Sequence, residues 1–196
     1  KIWSVFLFLS IYIKFETPDN LLDNLSDYAA DLLKDVNVGN YKWKPARRFV
    51  IPKTELSYRL ATQLDPIDNI ILAGIIYEYG HKIENKRTPI PDDRVFNYRF
   101  SPDQEGKLYK KDSAWKNFWQ TCKIKSNDYD YVLQLDISDF YNQIYHHVIE
   151  NQLIDCGFPN EIKNAIKRLL SSVTAKNSRG VPIGPHAVHL LAEMSS

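Results

Sequence analysis

Asp136 is the residue whose setting most invites chemistry. It closes the run Tyr129-Asp-Tyr-Val-Leu-Gln-Leu135, and Ile137, Ser138, Asp139, Phe140 and Tyr141 follow it. Alternation of side-chain character predicts a half-buried strand over 129–135, and a change to helical periodicity predicts a helix over 138–155. A carboxylate delivered to the end of a rigid strand can hold Mg²⁺ at a solvent-facing edge, with the carbonyl of Ile137 as a second hard oxygen donor. The ring of Tyr141 would return to the same site one helical turn later. The same strand–Asp–helix order also arises where an aspartate does no more than cap a helix.

Two further segments carry residue types suited to phosphate chemistry. Ile51-Pro52-Lys53 is followed by Arg59 and then by Asp65-Pro66-Ile67-Asp68-Asn69-Ile70. Arginine offers phosphate a bidentate fork and lysine a compact charge. Arg179-Gly180-Val181-Pro182-Ile183-Gly184-Pro185 precedes His189-Leu-Leu-Ala-Glu193. Glycines in such a loop allow close approach of the backbone to a partner, although a Gly/Pro loop before a helix is by itself an ordinary turn.

Taken in order, the three segments resemble the reverse transcriptases, including those of group II introns, retrons and bacterial defence systems. The Asp136 segment is similar to motif A of that family. The resemblance implies that Asp136 is a catalytic carboxylate binding two Mg²⁺ ions, with the Ile137 carbonyl beside it. It implies that Tyr141 is the steric gate that selects dNTPs against a ribose 2′-hydroxyl. Asp139 falls where the family places a backbone amide near the triphosphate. The loop Pro182-Ile183-Gly184 is similar to the motif B bend that meets the template–dNTP pair; Ile183 stands where Gln is commoner, and Val188 where Ser is. Lys53 and Arg59 resemble the fingers residues that clamp the incoming triphosphate. The Ile183-Gly184-Pro185 form, Leu190-Leu191-Ala192-Glu193 and the segment Arg94–Arg99 look like the abortive-infection and defence-associated members, which implies a role in antiphage defence.

The implied fold is α+β, the fingers and partial palm of a right-hand polymerase. It divides as an N-terminal helical region over 1–40, a fingers-like region over 41–128 and a partial palm over 129–196. The implied reaction is RNA-directed DNA synthesis, the attack of a primer 3′-hydroxyl on the α-phosphate of a dNTP. The implied partners are an RNA or DNA template, a primer and dNTPs, with no membrane, in the cytoplasm. In this family a later Tyr-x-Asp-Asp hairpin supplies the remaining metal carboxylates. No such tetrapeptide occurs in the sequence, so the expectation is a fragment, cut before that hairpin and the thumb and inactive by itself. Two other readings stand beside this one. An RNA-copying RNA polymerase shares the palm logic but sits poorly with a gate as bulky as Tyr141. A non-catalytic nucleic-acid-binding protein on a polymerase fold would need no second carboxylate pair.

The elements that must position these residues are legible in outline. The 196 residues are 44% apolar and 25% charged, which excludes whole-chain disorder. The net charge of +1 hides opposed segments. Residues 16–38 carry Glu16, Asp19, Asp23, Asp27, Asp31 and Asp35 against Lys34; residues 40–60 carry Lys42, Lys44, Arg47, Arg48, Lys53 and Arg59 against Glu55. The basic stretch also holds Tyr41 and Trp43, a mixture that suits a nucleic-acid groove and equally an ordinary surface. The apolar run 2–13 is shorter than the roughly 20 residues a membrane span needs. Thr17-Pro18 opens an expected amphipathic helix that Gly39 ends. Short strands and turns are expected over 41–60, and helices over 66–80, 113–121, 160–172 and from 186. Residues 81–112 read as a long surface excursion. Its Asp92-Asp93 pair precedes the strand-Asp and reads as loop. His146, His147 and Glu150 read as helix surface rather than a zinc face. Cys122 and Cys156 form neither a disulfide framework nor a metal spacing and fit a reducing compartment.

Overall fold

A computed structural model describes residues 40–89, 92, 94–103, 107–110 and 114–195. The apolar run 2–13 and the acidic helix expected after Pro18 lie outside them. The described architecture is mixed α and β, with one two-stranded antiparallel sheet among the described residues. Strand β1 is Arg47–Thr54 and strand β2 is Ser57–Gln63. Arg47 lies opposite Gln63, Val50 opposite Leu60 and Ile51 opposite Arg59, and the register slips between Pro52 and Thr54. Most of the hairpin is exposed, and only its base is packed, at Ala61 and Thr62.

Helix α1, Pro66–Glu84, starts as its sequence dictates: the Asp65 side chain accepts the Ile67 amide at 3.0 Å, and Pro66 occupies the first turn, where its missing N–H costs nothing. Asp68, one turn in, is fully buried. It accepts the Tyr41 hydroxyl and, at 2.8 Å, the Lys44 amide, which binds the lead-in of the hairpin to α1. Burial pushes the Asp68 carboxyl above its ordinary range, and these hydrogen bonds oppose the shift. The sequence suggests a stop at Gly80, yet α1 runs through it. The Phe100 ring and Leu190 press on Gly80 so closely that a Cβ would lie 2.7 and 2.9 Å from them. Glycine serves packing there rather than termination.

The excursion after α1 is not wholly surface. Phe100 and Tyr109 form an isolated antiparallel bridge, and both are buried with Leu108. Helix α2, Ala114–Ser126, has no buried residue. The segment expected to be helical over 138–155 divides into α3, Phe140–Gln143, and α4, His146–Asp155. The break falls where Tyr145 pairs with Arg179. Helix α5, Asn160–Val173, buries Ile162, Ala165, Ile166, Leu169, Leu170 and Val173. Their spacing is the one-faced stripe of a core helix, and each large apolar side chain so buried contributes about 1.5–3 kcal/mol. Helix α6 is Val188–Glu193. α4 packs on α5 and α1 on α6. No helix among the described residues is long and apolar enough to cross a membrane.

One expectation fails outright. Residues 131–137 form no strand and are not half-buried: Tyr131 is 91% exposed, Leu133 81% and Leu135 82%. A strand exists only where a neighbour takes up its main-chain groups, and no described segment does so here.

Candidate functional site

The loop Arg179–Pro185 is fixed by main-chain bonds from three directions. The His146 amide donates to the Ser178 carbonyl at 2.9 Å, the Gly180 amide to Ile144 at 2.8 Å, and the Val181 amide to Tyr141 at 2.8 Å. The Thr62 amide, at the base of the hairpin, donates to the Ile183 carbonyl at 2.6 Å. Gly184 follows with φ of +135°, and a Cβ there would lie 2.5 Å from the Thr62 carbonyl oxygen. The residue type is thus required twice, by conformation and by space. Buried His146 adds a side-chain tie, its Nε2 lying 2.8 Å from the Gly180 carbonyl oxygen.

Tyr141 sits half-buried in α3 beside this loop. Its hydroxyl lies 2.7 Å from His189 Nδ1 in α6. The Tyr98 ring stacks on His189 at 5.1 Å, and Tyr109 meets His186 edge-on at 4.8 Å. Burial, with Glu193 and Tyr98 nearby, pushes the Tyr141 hydroxyl up to about 12. Burial holds the imidazoles of His186 and His189 below their ordinary value, with His186 adding to the effect on His189. Neutral His189 then accepts from the Tyr141 hydroxyl. The tyrosine ring is therefore held from both ends, by its backbone carbonyl and by its hydroxyl. The sequence offered His189 only as part of a helix; nothing in its spacing announces the contact.

Segment 94–99 gains a structural role. Arg87 bridges Glu84 at 2.9 Å and Glu193 at 2.8 Å, and Arg99 Nε reaches Glu84 at 2.7 Å. Asn97 donates to Glu193, and Arg87 also donates to the Asn97 side chain at 2.6 Å and the Tyr98 carbonyl at 2.6 Å. Two guanidiniums and two carboxylates, all mostly buried, pin this segment between the end of α1 and α6.

The remaining candidates are placed differently. Lys53 and Arg59 are exposed on the hairpin, Lys53 at the irregular register position and Arg59 opposite Ile51. Asp139 takes a left-handed conformation with φ of 56°, and its carboxylate accepts from Asn142 Nδ2 at 2.6 Å. Asp136 and Ile137 lie in the exposed segment that is neither helix nor strand, and Asp136 makes no hydrogen bond or ion pair among the described residues. The structure thus brings Tyr141, Ile183, Gly184 and the base of the Lys53–Arg59 hairpin together, and Asp136 makes no hydrogen bond or ion pair to that group. No family model matches the chain, and no curated protein matches it significantly.

The donors at Asp136 and Ile137 are hard oxygens of the kind Mg²⁺ takes, but they make an incomplete set. Among the described residues no group of three or more His, Cys, Asp or Glu side chains gathers to hold a metal. Glu150 is engaged elsewhere, 2.7 Å from Lys167 and 3.6 Å from Lys163, and these lysines hold its carboxyl below the ordinary range. Several members of the basic stretch also have structural duties. Trp43 Nε1 donates to the Ala165 carbonyl at 2.8 Å, Arg48 to the Val173 carbonyl, and Lys44 pairs with Asp65 at 3.2 Å.

Proposed function

We propose that this chain is part of a template-directed nucleotidyltransferase, a reverse transcriptase-like RNA-directed DNA polymerase, and carries its triphosphate clamp and sugar gate. The observation that carries the reading is the bond from Thr62 to Ile183 together with that from Val181 to Tyr141. Through them, cation-bearing hairpin, glycine loop and gate tyrosine, spread over more than a hundred residues of sequence, share one framework. Lys53 and Arg59 grip the leaving phosphates. The Ile183–Gly184 backbone offers an unhindered surface to the base pair being formed. Tyr141, fixed by His189, occupies the volume a 2′-hydroxyl would need. Mg²⁺ held in part by Asp136 and the Ile137 carbonyl would neutralise charge on the phosphates. A role in antiphage defence rests on the resemblance alone.

The test is triphosphate binding by this chain. The Lys53→Ala/Arg59→Ala pair is expected to weaken photocrosslinking of a dNTP at least tenfold while leaving circular dichroism unchanged; equal crosslinking overturns the clamp. Primer extension with Mg²⁺ is expected to be absent, because the sequence holds no second carboxylate pair of the Tyr-x-Asp-Asp kind. A second reading, a non-catalytic nucleic-acid binder, is favoured by the isolation of Asp136. It wins if the chain retains a labelled oligonucleotide, gives no dNTP crosslink, and binds the oligonucleotide equally well as Asp136→Ala.

A further inference from the structure

Helix α2 and segment 94–98 form two walls of an open cavity of about 970 Å³. Its floor is the ion-pair cluster of Arg87, Asn97 and Glu193. None of Lys53, Arg59, Asp136, Tyr141 or Gly184 lines it. Two properties of the lining stand together. Phe96, Trp115 and Phe118 supply flat aromatic faces: Trp115 and Phe118 stack at 5.9 Å, Phe96 meets Phe118 edge-on at 5.8 Å, and Trp115 remains 72% exposed. Lys86, Arg94 and Lys110 supply positive charge, and the one acidic residue in the described lining, Glu193, is already bridged by Arg87. Helix α2 contains no acidic residue at all, and its first turn, with the positive end of the helix dipole, opens on the cavity.

A greasy anion would use the cations and any apolar wall but has no use for flat rings, and an acidic peptide would use only the cations. A ligand that uses both, and that meets the Gln152 amide, has a planar heteroaromatic ring joined to phosphate. We infer that this cavity is a nucleotide-unit site, separate from the hairpin, in which a base stacks on Trp115 and its phosphate meets Arg94 with Lys86 or Lys110. The unit is either a free nucleotide or one residue of a single strand lying along α2. Stacking of one base on an aromatic contributes about 1–3 kcal/mol, and the phosphate contact makes binding salt-dependent. This inference stands whether or not the chain polymerises.

The experiment is a fluorescence titration of the 196-residue chain with two probes, ATP and an end-labelled oligo-dT of about ten nucleotides. Tryptophan quenching or rising anisotropy is expected with at least one of them. Quenching by ATP identifies a free-nucleotide site, and a response to the oligonucleotide alone identifies a strand groove. Trp115→Ala and Arg94→Ala are each expected to weaken binding about tenfold. Lys123→Ala, exposed on α2 away from the cavity, is expected to change it less than twofold. Both substituted positions are at the surface, and circular dichroism checks that the variants fold. The site is overturned if neither probe binds, if Trp115→Ala binds as the parent does, or if polyglutamate competes as well as the oligonucleotide. A signal lost in Lys53→Ala but kept in Trp115→Ala places the nucleotide on the hairpin and overturns the cavity while supporting the clamp.

Discussion

Between Ser178 and Ile183 the main chain is bonded to β2, to α3 and to the start of α4; between Tyr131 and Ile137 it is bonded to no other element among the described residues. Both stretches are short, and both carry residues of the proposed site. The first is held by neighbours that β2, α3 and the start of α4 provide. The second has a strand's composition without a strand's neighbour. Local chemistry dictates a loop, because glycine and proline restrict their own backbone. It cannot dictate a strand, because a strand's hydrogen bonds belong to someone else.

Substitutions can break or sharpen this contrast. The largest expected effect is at Gly184. Alanine there meets both the φ of +135° and the 2.5 Å approach to Thr62, so a loss of about 4 kcal/mol or more is expected in urea unfolding. A loss under about 1 kcal/mol would mean the hairpin base does not sit on the loop. Next is Leu169→Ala in the buried stripe of α5, expected to cost about 2–5 kcal/mol. Acid comes third. His186 and His189 sit below their ordinary value in the fold, so the unfolded chain binds more protons below about pH 6.5. Stability present at pH 7 is therefore lost as the pH falls through that range. The raised carboxyls of Asp68 and Glu193 act in the opposite sense above their ordinary values and blunt the loss. The change in urea midpoint between pH 7 and 5.5 is expected to differ between the parent and His186→Gln, and an identical change in both would contradict the histidine placement. Tyr141→Phe removes the hydroxyl held by His189 and is expected to cost about 1 kcal/mol. Leu133→Ala, on the exposed segment, is expected to lie within about 0.5 kcal/mol of the parent. A clear destabilisation there would show that residues 131–137 are packed in solution.

What could be read from the sequence follows the same division. The stripe of α5, the start of α1 at Pro66 and the bend at Gly184 were legible because each is encoded within a turn or two of chain. The run of α1 through Gly80 was not, since only Phe100 and Leu190, distant in sequence, explain it. The partners of the candidate site were hidden for the same reason. Thr62 carries no motif, and His189 gains meaning only when α6 faces α3. The long segment after α1 looked like surface because its prolines and charges outnumber Phe100, Leu108 and Tyr109, which carry its packing.

The bare segment has a consequence for handling the protein. Tyr131–Ile137 is exposed, lies outside any helix or strand, is rich in β-forming side chains, and is charged at Asp136 alone. An unpaired edge of that kind pairs readily with a second copy of itself, and one carboxylate is the charge that discourages it. Asp136→Ala would thus strip a gatekeeper as well as the proposed metal donor, and a loss of activity could come from self-association. Asp136→Glu keeps the charge while displacing the oxygens by one methylene. Comparing the two by light scattering beside the activity assay separates colloidal failure from chemical failure.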